Sequence, residues 1–431
     1  MASPQGQRQR GDAGCLNRSP LIGAAKHGIA RPVPLVVLLA IAVVVAIVAR
    51  RLRLPYTVGL VLVGVGIALA KLQIGATLTH DFIFFVILPP LLFEAALALR
   101  WRDLWADAGL LTALSTLGTV VAAAVVAFGV AIALHWPAPV ALVFGALIAA
   151  TDPVAVIAMF KDNGVTGRLR TLLEAESLFN DAVAAILFSL AVGIATQSVG
   201  GGASLLGWHL LFVITGGVLI GAACGGFALV LAGRTSEHSV EVALTVLAAY
   251  GSFLAAEQAG ASGILATVVS GLVVGNFGIF SERSDISKKA KEFALEFWEF
   301  AAFLANSMVF PLIGVAIGAT AFAPGAALSF AAVIMLVLIA RAVTIYPISF
   351  AFTATRQKVP MAHQHVLWWG GLRGALALAL ALSLPDAMPY RSEIVVTTFA
   401  VVAFSIIAQG LTMPLLLRRS AALDNARQRD D

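Results

Sequence analysis

Residues 138–160 read APVALVFGALIAATDPVAVIAMF, and this stretch decides what kind of protein the chain is. At about 1.5 Å per residue it is long enough to cross a hydrocarbon core about 30 Å thick. Its one charged residue is Asp152, which stands inside the run and directly before Pro153. Proline removes a backbone donor and breaks the helix, and an acid at membrane depth is a functional feature by default. The stretch therefore reads as a broken transmembrane helix carrying a buried carboxylate.

The rest of the chain fits the same solvent. Of 431 residues 60% are hydrophobic and 12% charged, and mean hydropathy is +0.95. A water-soluble domain carries about 25% charged residues. Thirteen apolar segments are marked out: 33–50, 54–71, 81–99, 107–134, 138–160, 169–196, 206–233, 239–258, 262–278, 291–318, 325–353, 361–383 and 391–417. The fold expected is an all-α polytopic membrane protein with about thirteen transmembrane helices. The fourth, sixth, tenth and eleventh exceed one perpendicular crossing, so tilt or interfacial ends are expected.

A pI near 9.5 invites a nucleic-acid reading, which the positions of the cations exclude. Numbering the loops in order, the odd loops and the C-terminus hold nineteen Lys and Arg, from Arg50, Arg51 and Arg53 to Arg427 and Arg429, against Lys71 and Arg391 in the even loops. The positive-inside rule makes the odd loops and C-terminus cytoplasmic and the N-terminus external. Residues 1–31 oppose this with five cations, but Arg50, Arg51 and Arg53 nearly balance the first helix and the later loops outvote the tail. That tail is polar and expected to be disordered, and it does not resemble a cleavable signal peptide. Cys15 and Cys224 suggest neither a disulfide nor a metal site. Two of the 28 Lys and Arg, Arg341 and Arg373, fall inside helices.

A second interrupted helix, the twelfth, contains Trp369-Gly370-Gly371-Leu372-Arg373-Gly374. Seven positions separate it from the fifth, and an odd shift reverses orientation. Helices 1–6 and 8–13 then form two inverted six-helix repeats with helix 7 as linker. Paired broken helices in inverted halves point to a transporter's binding site.

Most acids lie in loops or at helix ends; Glu94, Asp152, Glu176 and Asp181 do not. Asp152 stands nine residues from Lys161 and Asp181 eleven from Arg170, which is roughly 14 and 16 Å of helix, close to mid-membrane. Glu94 and Glu176, each six residues from an arginine, come out near about 9 Å. Ser177 shares a face with Asp181, and Glu176 shares the adjacent face with Asn180. Carboxylate and hydroxyl oxygens, with a Thr151 carbonyl freed by Pro153, suit a partly dehydrated alkali ion. Burial and mutual repulsion favour the protonated carboxylate, so H+ competes with a cation for the same oxygens. No cofactor is required. Glu176 and Arg373 are expected to pair, because each is otherwise an isolated charge in hydrocarbon; the partner of Arg341 is left open.

Weaker signals have simpler readings. Gly260-Ala261-Ser262-Gly263 matches an intramembrane serine protease pattern, but close packing of small residues accounts for it. His363 and His365 suit a solvated helix entrance more than a pH sensor. Asn306 reads as packing glue, and Glu174 and Glu257 as helix-end groups that reach water.

Taken together, Thr151-Asp152-Pro153-Val154-Ala155-Val156, Glu176-Ser177-Leu178-Phe179-Asn180-Asp181-Ala182-Val183, Gly370-Gly371-Leu372-Arg373-Gly374-Ala375 and Leu88-Pro89-Pro90-Leu91-Leu92-Phe93-Glu94 resemble the signature segments of the monovalent cation:proton antiporter-1 family, the sodium/proton exchangers. The resemblance spans roughly residues 32–418. It implies a thirteen-helix inverted-repeat fold and a homodimer. A core bundle (about 107–196 and 325–418) would move against a dimerisation part (about 32–106 and 206–318), with 419–431 a short cytoplasmic tail. Carried over by position, Asp152 and Asp181 are the cation and proton carboxylates. Ser177, the Thr151 carbonyl and Glu94 support them, Na+ sits at Asp152, Asp181, Ser177 and Thr151, and Glu176–Arg373 is a structural ion pair. Asn180 stands where electrogenic relatives have a second Asp, which implies electroneutral one-for-one exchange. The chain ends soon after Arg419, as expected of the NhaP-like prokaryotic type in a cell membrane. The leading expectation is Na+/H+ antiport by alternating access, with Li+ or K+ as alternative cations. A cation channel and an intramembrane protease are the competing classes.

Overall fold

A computed structural model describes residues 33–52, 54–72, 78–162, 165, 167–196, 203–235, 237–281, 287–320 and 325–419. The expected disordered tail, 1–31, and all of the expected C-terminal tail but residue 419 lie outside the described residues. Every regular element among the described residues is helical. In chain order they are α1 (Val33–Leu52), α2 (Tyr56–Leu69), α3 (Phe82–Ala98), a short connecting helix (Trp101–Ala106), α4 (Ala108–Ala133), α5 in two halves (Ala138–Ala149 and Val154–Asp162), α6 (Arg168–Ala195) and α7 (Ala203–Ala232). There follow α8 (His238–Gln258), α9 (Gly263–Ile279), α10 (Lys288–Ala319), α11 (Ala327–Ala351), α12 in two halves (Met361–Trp369 and Ala375–Leu382) and α13 (Arg391–Arg419). Among the described residues eight stretches are long and apolar enough to cross a membrane: α4, the whole of α5, α6, α7, α8, α10, α11 and α13. Four further apolar helices are shorter, and α12 is split.

The outer surface has the polarity of a membrane protein. Phe128 is 71% exposed, Leu219 68% and Phe227 65%, whereas Glu176, Asn180 and Arg373 are buried. Apolar groups face outward and charges inward because lipid, not water, is the solvent.

Close helix approach depends on small residues. A Cβ at Gly64 on α2 would strike the Pro311 carbonyl of α10, and one at Gly314 would strike the Val61 carbonyl. One turn on, Gly318 meets Val65 and Ala68, so α2 and α10 run parallel. Gly217, Gly221 and Gly225 of α7 meet Ser262, Ala266 and Ser270 of α9 in the same order. Both pairs differ by an even number of helices, as regular up-and-down crossing requires.

The main packings fall into two groups. In one, α4 packs on α5, α6 and α11, the first half of α5 on α6, and the second half of α12 on α13. In the other, α2 packs on α10, α3 on α9, and α7 on α8 and α9. The two groups meet across an internal cavity.

Candidate functional site

The site begins where α5 stops. Ala150 turns the backbone extended, at φ −57° and ψ 138°, and Pro153 opens the second half, where its missing N–H costs nothing. The carbonyls at the end of the first half lose their helical partners. Arg373 supplies substitutes: Nη1 donates to the Ala149 carbonyl at 2.9 Å and the Ala150 carbonyl at 2.8 Å. A cation at a helix C-terminus is also favoured by the dipole.

The breaks in α5 and α12 cross each other. The Asp152 amide donates to the Leu372 carbonyl at 2.7 Å. The Asp152 carboxylate accepts the Val154 amide at 2.9 Å and also meets the Ala375 amide, at the first residue of the second half of α12. A Cβ at Gly374 would collide with this carboxylate, and one at Gly371 would meet the Arg341 guanidinium at 2.5 Å. Side chains other than hydrogen cannot occupy these positions without displacing the crossover.

Across from the crossover, α6 presents its polar stripe. The Ser177 hydroxyl donates to the Thr151 carbonyl. Thr151 Oγ1 lies 3.2 Å from Ser177 Oγ and accepts from Asn180 Nδ2 at 2.9 Å. Asp181 faces the Thr151 amide and lies within electrostatic reach of Asp152, Glu176 and Arg373. Its Oδ1 is buried and accepts no hydrogen bond. A cavity of about 290 Å³ is lined by Glu94, Thr151, Asp152, Ser177 and Asp181, which joins the five residues expected to bind cation or proton. It reaches Arg170, Glu174 and exposed Glu299 at one end. Among the described residues no three His, Cys, Asp or Glu gather as metal ligands; the oxygens here are two facing carboxylates with hydroxyl and carbonyl neighbours.

One expectation is corrected. Glu176 is held by Arg341 rather than Arg373: Nη1 donates to Oε1 at 2.6 Å and Nη2 to Oε2 at 2.7 Å. Arg341 Nη2 also reaches the Leu367 carbonyl at 3.1 Å. Arg341, whose partner was left open, takes the place expected of Arg373, which is occupied with the end of α5. A guanidinium matches a carboxylate as a two-pronged fork, and only α11 brings one to Glu176 in that geometry.

A model of the family described as "Sodium/hydrogen exchanger, transmembrane" matches residues 38–419. This chain belongs to the sodium/hydrogen exchanger family. Its relatives include the Na(+)/H(+) antiporter ApNhaP of Aphanothece halophytica, 39% identical over 87% of this chain and 71% of the relative. The low-affinity Na(+)/H(+) antiporter NhaS1 of Synechocystis is 37% identical over 84% of this chain and 69% of the relative. Among solved structures, the sodium proton antiporter MjNhaP1 of Methanocaldococcus jannaschii superposes with a TM-score of 0.70 over 90% of this chain and 96% of that one, at 19% identity. That likeness establishes the shared fold.

In this exchanger two supports were not foreseen. The Arg373 amide donates to Ser405 Oγ at 2.8 Å, Ser405 Oγ donates to Gln409 Oε1 at 2.5 Å, and Gln409 Nε2 donates to the Trp369 carbonyl at 3.0 Å. Ser405–Gln409 is a π-helical turn within α13, a distortion frequent at functional sites. Two polar residues four apart, Ser405 and Gln409, in a mostly apolar helix were the available signal. The second is Asn306, which lines the cavity. The protease-like Ser262 is the N-cap of α9, accepting the Leu265 amide at 3.2 Å, while Glu257 accepts the Gly263 amide at 2.9 Å.

Proposed function

We propose that this exchanger carries out Na+/H+ antiport by alternating access, one Na+ for one H+, with Asp181 as the exchanging group. All thirteen helical segments cross a cell membrane in this reading, with the N-terminus outside and the C-terminus cytoplasmic. The observation that carries it is the pairing of Asp152 and Asp181 with Ser177 and Thr151 at crossed helix breaks, facing one cavity. Asp152 is tied to backbone amides at both breaks, so it holds the site's shape. Asp181 keeps a buried oxygen free to take either a proton or a cation. Glu94 adds a carboxylate from the opposite wall. Two positive residues are already committed, Arg341 to Glu176 and Arg373 to the end of α5. The charge that crosses is then set by Asp152 and Asp181.

The group formed by α4–α6 and α11–α13 is the moving core, and the group formed by α1–α3 and α7–α10 is the stationary, dimer-forming part. Support comes from the sorting of helix packings into these groups, with the cavity between them. With the Arg170 end cytoplasmic, the cavity reaches inward. No cofactor takes part in this cycle; the cargo is Na+ and H+, and the lipid and a second copy of the chain are the partners.

The test is dye-reported proton flux in proteoliposomes on addition of Na+, Li+ or K+. Na+ should release trapped protons in the wild type, and Asp152→Ala and Asp181→Ala should abolish the response while still inserting. Near-normal flux in either variant removes that carboxylate from the mechanism. A response to K+ alone would replace Na+ as cargo.

A further inference from the structure

We infer that Asn306 and Thr57 form a second, neutral oxygen subsite for the cation on the cavity wall opposite Asp152 and Asp181; this rests on the antiport reading. Both residues line the cavity that holds the carboxylates, but they come from α10 and α2, in the other packing group. Both are buried, Thr57 1% exposed and Asn306 9%. Thr57 Oγ1 and Asn306 Oδ1 nevertheless have no hydrogen-bond partner.

That is costly by default, since a buried polar atom without a partner loses its hydration for nothing. The immediate neighbours show that the wall is not merely short of partners. The Tyr56 hydroxyl and Ser307 Oγ bind each other at 2.6 Å, and Ser307 Oγ donates to the Phe303 carbonyl at 2.6 Å. So along one stretch of wall, Tyr56 and Ser307 are matched to each other, while the Thr57 and Asn306 oxygens, on two residues that line the cavity, are left unmatched. Asn306 also stands near the middle of the long α10, eighteen residues after Lys288 and thirteen before Ala319. Pro311, five residues further on, interrupts the backbone ladder in this part of the helix.

The chemistry selects a small monovalent cation that keeps part of its water. An amide oxygen and a hydroxyl replace hydration oxygens without adding charge, as the carbonyls of selectivity filters do. Neutral ligands hold the ion weakly enough to release it. They also add no further charge to a wall that already carries Glu94. A cavity of about 290 Å³ has room for such an ion with several waters, each taking roughly 30 Å³. As the core moves, its carboxylates change position relative to this wall, so the subsite hands the ion to Asp181 on one side only.

The experiment titrates Na+ and Li+ against proton flux in proteoliposomes of Thr57→Val, Asn306→Leu and the wild type. Each substitution keeps size and removes an oxygen. The apparent KM for Na+ should rise about three- to tenfold with the maximal rate within twofold, the loss of one contact of hydrogen-bond size. The Na+/Li+ ratio of KM values should change too. Unchanged KM values in both variants, or a falling maximal rate at constant KM, would overturn the subsite. If Asn306→Leu fails to assemble, the nearly isosteric Thr57→Val decides alone. A wild type that exchanges no cation at all defeats the antiport reading instead, so the two failures are distinguishable.

Discussion

Replacing Arg341 by alanine should be among the most destabilising single changes available in this chain. The side chains of Arg341 and Glu176 are 7% and 1% exposed, and two short hydrogen bonds join them. Removing one member of a buried pair typically costs about 3–5 kcal/mol, because the other is left as an uncompensated charge. The Leu367 carbonyl loses a donor as well, adding roughly 1 kcal/mol. The ratio of folded to unfolded protein should fall by a factor of about 10² to 10⁴. Replacing both charges, Glu176→Gln with Arg341→Gln, removes the stranded charge and should recover roughly 1–3 kcal/mol of coupling. The assay is thermal and denaturant unfolding of detergent-purified protein followed by tryptophan fluorescence, arranged as a double-mutant cycle. A parallel cycle on Glu176 and Arg373 should show weaker coupling, since Arg373 serves the Ala149 and Ala150 carbonyls. Coupling below about 0.5 kcal/mol for Glu176 with Arg341, or stronger coupling with Arg373, would refute the assignment of the pair.

Gly374→Ala should insert and fold yet lose most cation-driven proton flux, because its methyl group displaces the Asp152 carboxylate; normal flux would show that the crossover tolerates that shift. Gln409→Leu takes the acceptor from the Ser405 hydroxyl proton and the donor from the Trp369 carbonyl behind the α12 break, and should lower stability by about 1–3 kcal/mol in the same unfolding assay. Ser405→Ala should act in the same direction and, sharing the network, add less than its full effect in the double variant. Exchange should be electroneutral: a K+/valinomycin potential, worth about 2.3 kcal/mol per charge per 100 mV, should drive no Na+ uptake at equal Na+ and pH once K+ transport is ruled out. Sustained uptake would mean that a further carboxylate, Glu94 first, changes protonation during the cycle.

The class of solvent and the presence of two broken helices are legible in the order of residues, and so is the mid-membrane depth expected of Asp152 and Asp181. Each is a one-dimensional property: hydropathy sums along the chain, and rise per residue converts sequence distance from a loop arginine into depth. Ser177 and Asn180 were legible for the same reason, since spacing on α6 fixes their faces relative to Asp181. Partnership between helices is different. Arg341 and Arg373 are both intramembrane cations, and nothing in their local sequence says which one α6 will meet. That choice rests on the rotation of α6, α11 and α12 about their axes, set by packing at Gly371 and by the prior claim of the Ala149 and Ala150 carbonyls on Arg373. Likewise Asn306 has the same neighbours in sequence whether it faces α2 or the cavity. Only the tertiary arrangement, by matching Ser307 to Tyr56 and bringing Asn306 into the lining of the cavity, decided between the two.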